Sequence, residues 1–489
     1  VGDPHVALGI VAFVVLATLG IGTLSVRSIK MDMRQFMVGG RSFGALLLWL
    51  LLAGEIYTTF TFLGAAGWAY GKGAPAFYIL CYGCVAYCIS FFLLPAIWKI
   101  GRERDLLTIA DFFVAQYNSK ALGSLVAIVG FVFLVPYVTL QLTGIATLLR
   151  IAGYGTINAT LAVGIAFAAI AAFTFYSGIR GTARASIVKD ALVIIAVVFA
   201  GIILPMRFFG SPVGAISRVL VQYPHWMTIG PATSANGTIW FVSTVALTAM
   251  GFHMFPQSMA VTFSAKSPDA LRKNAIFLPF YQLMILLVYF AGFAALLLVP
   301  GLKGPEADQS FMLVVQKYYP SWVLGFIAAA GTLAGLVPAS GQLLGAASLV
   351  AKNVLVDYGI IRGDRAQTIA TRVLVIIVAA LAFGFWAIAR TTLVGLLLLA
   401  YNGVTQFFPG VVLSLSPRLR PKAVAVAAGL FAGLATLSYY AITGKPTPLG
   451  INAGMIALFL NIFTLFVIDF VARRMGVRGI EPLSPQVSS

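Results

Sequence analysis

Charge is what this chain of 489 residues has least of: Asp, Glu, Lys and Arg together make up 9%. Soluble chains carry roughly 25%, and so few ionic groups would not cover the surface of a water-soluble protein this long. Histidine is equally scarce, with three residues scattered at His5, His225 and His253. That excludes a His-rich metal centre, and no nucleophile stands beside a base in a hydrolase-like pattern. The chain is therefore not expected to be an enzyme, and no metal or cofactor is implied. Cysteine is confined to Cys81, Cys84 and Cys88, within one apolar stretch at helical spacing. With no second CxxC and no nearby His, they suit small apolar packing better than a disulfide framework or metal site. Acidic residues number 14 against 32 Lys and Arg. In a soluble protein that imbalance would suggest nucleic acid, but the basic residues fall between apolar runs, where they set membrane topology instead.

What is abundant is apolar surface. Hydrophobic residues reach 60%, and 49 glycines lie within the apolar runs, as suits close helix packing in lipid. A bilayer span needs about 20 predominantly apolar residues. Thirteen stretches qualify: 6–26, 43–68, 74–99, 122–150, 157–177, 185–206, 237–263, 275–300, 321–351, 367–389, 392–414, 423–443 and 449–472. They are numbered helix zero to helix twelve. The first runs straight into Arg27, Lys30 and Arg34 without a cleavage pattern, so it is expected to stay as a helix. With the N-terminus outside, alternate loops divide Lys and Arg 23 inside to 8 outside. The positive-inside rule thus predicts an external N-terminus and an internal C-terminus.

Two of the stretches are interrupted. Helix one carries Glu55, Tyr57, Thr58 and Thr59 in mid-span, and helix six carries Gly251-Phe252-His253-Met254-Phe255-Pro256-Gln257-Ser258. Proline removes a backbone donor and clashes with the preceding turn. Bare backbone at membrane depth is tolerated only against protein or a water-lined cavity. Interruptions five helices apart predict an inverted repeat around a midplane site. The first repeat covers 43–206 and the second 237–414, with helix zero at 6–26 before them and two further helices over 423–472. Packing kinks are the alternative reading of the same pattern.

These residues resemble the sodium/solute symporters, a family with the LeuT-type fold of five plus five inverted helices. The matches are Gly39-Gly40-Arg41-Ser42, Ala53-Gly54-Glu55, Asp190, Phe255-Pro256-Gln257 and Ser264-Ala265-Lys266-Ser267 with Arg272. A second set is similar to one branch, the bacterial monocarboxylate transport permeases. It comprises Val135-Pro136-Tyr137, Leu140-Gln141-Leu142-Thr143-Gly144, Arg272-Lys273-Asn274-Ala275-Ile276 with Leu278-Pro279, and Gly335-Leu336-Val337-Pro338-Ala339. The resemblance implies a multi-pass transporter of the bacterial inner membrane that imports small monocarboxylates such as lactate or pyruvate by alternating access. A sodium-coupled symporter for another small solute is the alternative.

The resemblance also implies where a coupling ion would bind, and this sequence departs from it there. Sodium would be held by carbonyls matching Ala53, Ile56 and Ala334 and by two hydroxyls, but those hydroxyl positions are Val337 and Pro338. An accessory position keeps Asp190 and Ser340, with Gly341 in place of a hydroxyl. Lys189 stands where a hydroxyl residue is usual. A mid-membrane lysine costs roughly 2.5–3.5 kcal/mol on the insertion scale and needs a partner. Neighbours at i,i+1 on a helix point apart, so Glu55 or the carbonyls at the break are the expected partners rather than Asp190. Proton coupling through Lys189, Glu55 and Asp190 follows as the expectation, with a static buried ion pair as the alternative. On the family's geometry Tyr57, Thr58, Thr59, Tyr137, Gln141, His253, Phe255 and Gln257 would surround a carboxylate, the donors fixing its oxygens and the rings covering its tail.

Overall fold

The structure, a computed structural model, describes residues 2–27, 33–389 and 391–476. Lys30, Arg390 and Arg478, which enter the charge count above, lie outside the described residues. Among the described residues the chain is helical throughout, with two isolated bridges as the only extended pairing. Among the described residues ten helices are long and apolar enough to cross a membrane, and two bent pairs bring the number to twelve. Those two pairs are the interrupted helices anticipated from sequence: Ala45–Ile56 with Phe60–Lys72, bent by 47°, and Thr238–Gly251 with Pro256–Ser264, bent by 46°.

One expectation needs correcting. Residues 178–184 were expected to form a loop between helices four and five, yet helix continues through them in the 51-residue run Ala159–Phe209. A straight helix that long would extend about 77 Å, more than twice the hydrocarbon core of about 30 Å. The run is broken at Gly178, whose φ of 54° and ψ of −164° suit glycine alone. The connection is thus one residue rather than seven. The three longest connections are also not bare: they hold short helices at Ile109–Tyr117, Pro212–Gln222 and Ser310–Tyr318.

Helix eight, Ser321–Val356, is the axle of the fold, with 94% of its apolar window buried. Small residues let neighbours approach it closely. A methyl group at Gly331 would strike Phe62 and Leu148, and one at Gly335 would strike Thr59 and Ile145. Helix three, Lys120–Ala152, runs antiparallel along it, so both lie against the break in helix one. The two broken helices are also tied at one end: Phe43 and Ala265 form a bridge, with Phe43 N–H donating to Ser264 O at 3.2 Å and Lys266 N–H to Phe43 O at 3.0 Å.

Two further observations concern side chains of these helices. Asp469 pairs with Arg473 at 2.6 Å, as its i,i+4 spacing suggests. The three cysteines are free thiols, Cys81 and Cys84 half-buried and Cys88 exposed.

Candidate functional site

The break in helix one starts at Tyr57, where φ −94° and ψ 85° end the first half-helix. The local hydroxyls satisfy most of what the break exposes. Thr58 Oγ1 accepts the Phe60 N–H at 3.1 Å, and the Thr61 hydroxyl donates to Ile56 O. Tyr57 N–H returns to Ala53 O at 3.1 Å. Thr59 reaches across to helix three, where both its N–H (3.3 Å) and its hydroxyl (2.7 Å) donate to Gln141 Oε1. The carbonyls of Ala53 and Ile56, expected sodium ligands, therefore each already accept one hydrogen bond.

The ionisable residues are paired differently from the sequence expectation. Lys189 Nζ lies 2.6 Å from Asp190 Oδ1, and Lys189 is completely buried. The i,i+1 argument against that pair fails because it describes Cβ directions, whereas a four-carbon lysine stem is long enough to fold back. Tyr281 supplies a second contact to Asp190, its hydroxyl donating at 3.3 Å. Lys189 also reaches the break, since a methyl group built at Gly54 would stand 3.2 Å from Nζ. Glu55 bonds elsewhere: Gln257 Nε2 donates to it at 3.1 Å, linking the breaks of helices one and six. Ser340 turns to Thr182 at 2.6 Å rather than to Asp190. Ala334 is fully buried, and Pro338, lacking an N–H, leaves the Ala334 carbonyl without its i+4 donor.

A cavity of about 30 Å³ opens beside this cluster, room for about two water molecules. Gly54, Glu55, Ser186, Gln257, Val337 and Pro338 are on its wall. It extends from the break towards Leu107 and Thr108, and Val337 and Pro338 face it with carbon.

The break in helix six has few such internal partners. Phe255 adopts φ −64° and ψ 137° and carries no capping side chain for the half-helix that Pro256 begins. Its ring lies 5.1 Å from Tyr137 and 5.0 Å from Tyr401, as centroids. His253 is buried against Phe252 and Tyr87, and neither ring nitrogen has a hydrogen-bond partner. Tyr57 is buried with an unbonded hydroxyl, its ring 4.8 Å from Tyr281, which places it on the Asp190 side of the site. Sequence reasoning missed Gln342 on helix eight and Asp308 in the connection before it. Both are ordinary polar letters in the sequence, and only burial distinguishes them.

The sodium:solute symporter family profile matches residues 36–419 of the chain. The chain belongs to that family. The symporter is 39% identical over 482 residues to an uncharacterised symporter, YhjB, of Bacillus subtilis, covering 96% of this chain and 98% of that one. It is 29% identical over 449 residues to a monocarboxylate transport permease protein of Rhizobium johnstonii, covering 88% and 89% respectively. Among solved structures, a Na+-coupled sialic acid symporter in a substrate-bound outward-open state superposes with a TM-score of 0.80 at 13% identity, over 98% of this chain and 99% of that one. That agreement shows the LeuT-type fold. The symporter is a transporter rather than an enzyme, and a multi-span protein of the bacterial plasma membrane.

Proposed function

We propose that the symporter imports small monocarboxylates such as lactate or pyruvate, and that protons drive the import in place of sodium. The observation that carries the coupling is the position of Lys189: its ammonium stands against Gly54 at the break in helix one, where the family resemblance implies a sodium ion. The ammonium's positive charge there takes over sodium's electrostatic role, and neither the Val337 nor the Pro338 side chain offers an oxygen ligand. Lys189, Asp190 and Glu55 are the proton-handling groups: Lys189 pairs with Asp190 and lies against Gly54, and Gly54 and Glu55 are on the wall of the cavity. Ala53, Ile56, Ala334 and Ser340 keep the family's positions without completing a cation shell. Tyr57, Thr58, Thr59, Tyr137, Gln141, His253, Phe255 and Gln257 surround the substrate, with the N–H groups of the half-helices directed at its carboxylate. The two repeats, 43–206 and 237–414, rock against each other to open the site to either side, the N-terminus lying outside and the C-terminus inside.

The 29% identity to a monocarboxylate permease supports the substrate class. The test is uptake of labelled lactate into vesicles of purified protein under an inward proton gradient or an inward sodium gradient. Accumulation under the proton gradient alone is expected. Accumulation under sodium at constant pH, unchanged in Lys189→Ala, overturns proton coupling and favours the second reading. That reading is a sodium-coupled symporter for another small solute, supported by the family as a whole and by the Ala334 carbonyl, which Pro338 deprives of its i+4 donor.

A further inference from the structure

A fully buried primary amide that bonds to nothing is costly, since each unmet buried polar group loses its hydration without replacement. Gln342 is completely buried, and neither its Oε1 nor its Nε2 has a hydrogen-bond partner. Its place in the fold follows from the antiparallel register of helices three and eight. Gly331 faces Leu148, Gly335 faces Ile145 and Gly130 faces Leu349. The same register sets Gln342 level with Tyr137 and Pro338 level with Gln141. The Tyr137 hydroxyl is near the Gln342 amide without a hydrogen bond to either of its atoms.

The donors and acceptors of this cluster can be counted. Gln141 Oε1 already accepts twice from Thr59, which fixes the orientation of its amide and leaves both hydrogens of Nε2 unbonded. Tyr137 adds one O–H. Gln342 offers one donor group and one acceptor whichever way its amide is turned. A carboxylate accepts only, so the donors of Gln141 and Tyr137 suit its oxygens. The carbonyl of Gln342 is then the acceptor left over, and a simple monocarboxylate has no group to donate to it. A hydroxyl on the carbon next to the carboxylate does.

We propose that Gln342 is a specificity-determining residue that selects 2-hydroxy acids, its amide oxygen accepting from the substrate hydroxyl while Gln141 and Tyr137 hold the carboxylate. This rests on the monocarboxylate reading above and narrows it. Propionate has the size of lactate without the hydroxyl, and binding it would leave the Gln342 oxygen buried and unmet. Sites built around a substrate hydroxyl discriminate strongly against analogues that lack it.

The experiment compares L-lactate and propionate in vesicles of the full chain. In the unaltered protein, propionate is expected to compete with labelled lactate about tenfold less well than lactate itself. In Gln342→Met, a near-isosteric change that removes both polar atoms, the KM for lactate is expected to rise about tenfold while that for propionate falls, because no buried oxygen is then left unmet. Equal competition by the two acids in the unaltered protein overturns the proposal without needing any variant. A Gln342→Met protein whose two KM values rise together, or do not move, overturns it as well, because that outcome marks Gln342 as packing. Should neither acid be taken up under any gradient, the monocarboxylate reading itself falls and this assignment falls with it, a result distinct from the other two.

Discussion

The two broken helices solve the same problem in opposite ways. Helix one supplies its own partners: Thr58, Thr59 and Thr61 engage the backbone or helix three, and Lys189 lies against Gly54 with Asp190 as its counter-charge. Helix six supplies almost none. Phe255 leaves the new half-helix uncapped, and His253 keeps both nitrogens unbonded among aromatic rings. Gln257 is the exception, and it points to Glu55 on helix one. A break that satisfies itself is a fixed element. One left with unmet donors gains most from a ligand or a rearrangement. On the function proposed above, that division assigns helix one to the ion and helix six to the moving, substrate-responsive side.

The largest effect is expected where helix one holds its charge. Lys189→Ala leaves Asp190 buried beside an apolar gap, and removing one member of a buried pair costs about 3–5 kcal/mol. Proton-driven lactate uptake should fall to background and the thermal melt in detergent should drop by many degrees. The double change Lys189→Ala with Asp190→Asn separates the two roles: stability should largely return, while proton-driven uptake should not. Recovery of both would make the pair structural only and erase the contrast between the breaks.

The second half of helix one, Phe60–Lys72, has a further restraint. Asp308, in the short helix Gly304–Gln309 outside the membrane spans, is buried against Gly67, and its Oδ2 accepts from Leu393 N–H, the first residue of helix ten, at 2.9 Å. Its other oxygen is unbonded. Burial pushes this carboxyl up to about 7, with the Leu393 N–H opposing. The folded contact therefore binds a proton more tightly than the unfolded chain does. Its stability is greatest below the ordinary carboxylate range, falls as pH rises above about 4, and has been lost by the time pH passes about 7. The melting temperature should decline over that window by the equivalent of about 2–4 kcal/mol, and Asp308→Asn should flatten the decline. A parallel decline in Asp308→Asn would assign the pH dependence to other groups.

Much of this was legible in the sequence because it follows from composition and spacing. Apolar runs of span length gave the helices, and Pro256 and the cluster from Glu55 to Thr59 marked the two breaks where the chain bends. Side-chain pairing was not legible. The i,i+1 rule put Lys189 and Asp190 apart, but the rule governs where a side chain leaves the helix and says nothing of where a flexible stem ends. The one-residue turn at Gly178 was hidden because a loop was inferred from Arg180 and Arg184, and charged residues sit as readily on a helix as in a loop. Gln342 and Asp308 were missed for a third reason. Their importance lies in having too few partners once buried, a property of the packed fold alone.

Within the break of helix one, Thr59 is the next residue to remove. Thr59→Val deletes the shorter of its two bonds to Gln141 Oε1 and keeps the volume, for a cost of about 1–2 kcal/mol. Because Gln141 then loses part of what orients it, KM for lactate should rise several-fold. A lowered melt with unchanged KM would detach Gln141 from the substrate.

The smallest stability effect is expected at the helix-six break, and it is the sharpest check on the comparison. In helix one, removing the hydroxyl of Thr58, Thr59 or Thr61 takes a bond with it. His253→Phe removes two nitrogens that bond to nothing, and puts a ring of similar shape among Phe252 and Tyr87. Replacing an unsatisfied polar group by an apolar one is nearly neutral or stabilising, so the melt should hold within about 0.5 kcal/mol or rise. Transport should still suffer, with a lactate KM increase of about two- to tenfold from one lost substrate bond. An unchanged KM beside an unchanged melt would make the helix-six break as self-contained as that of helix one, with its missing bonds made by water rather than substrate.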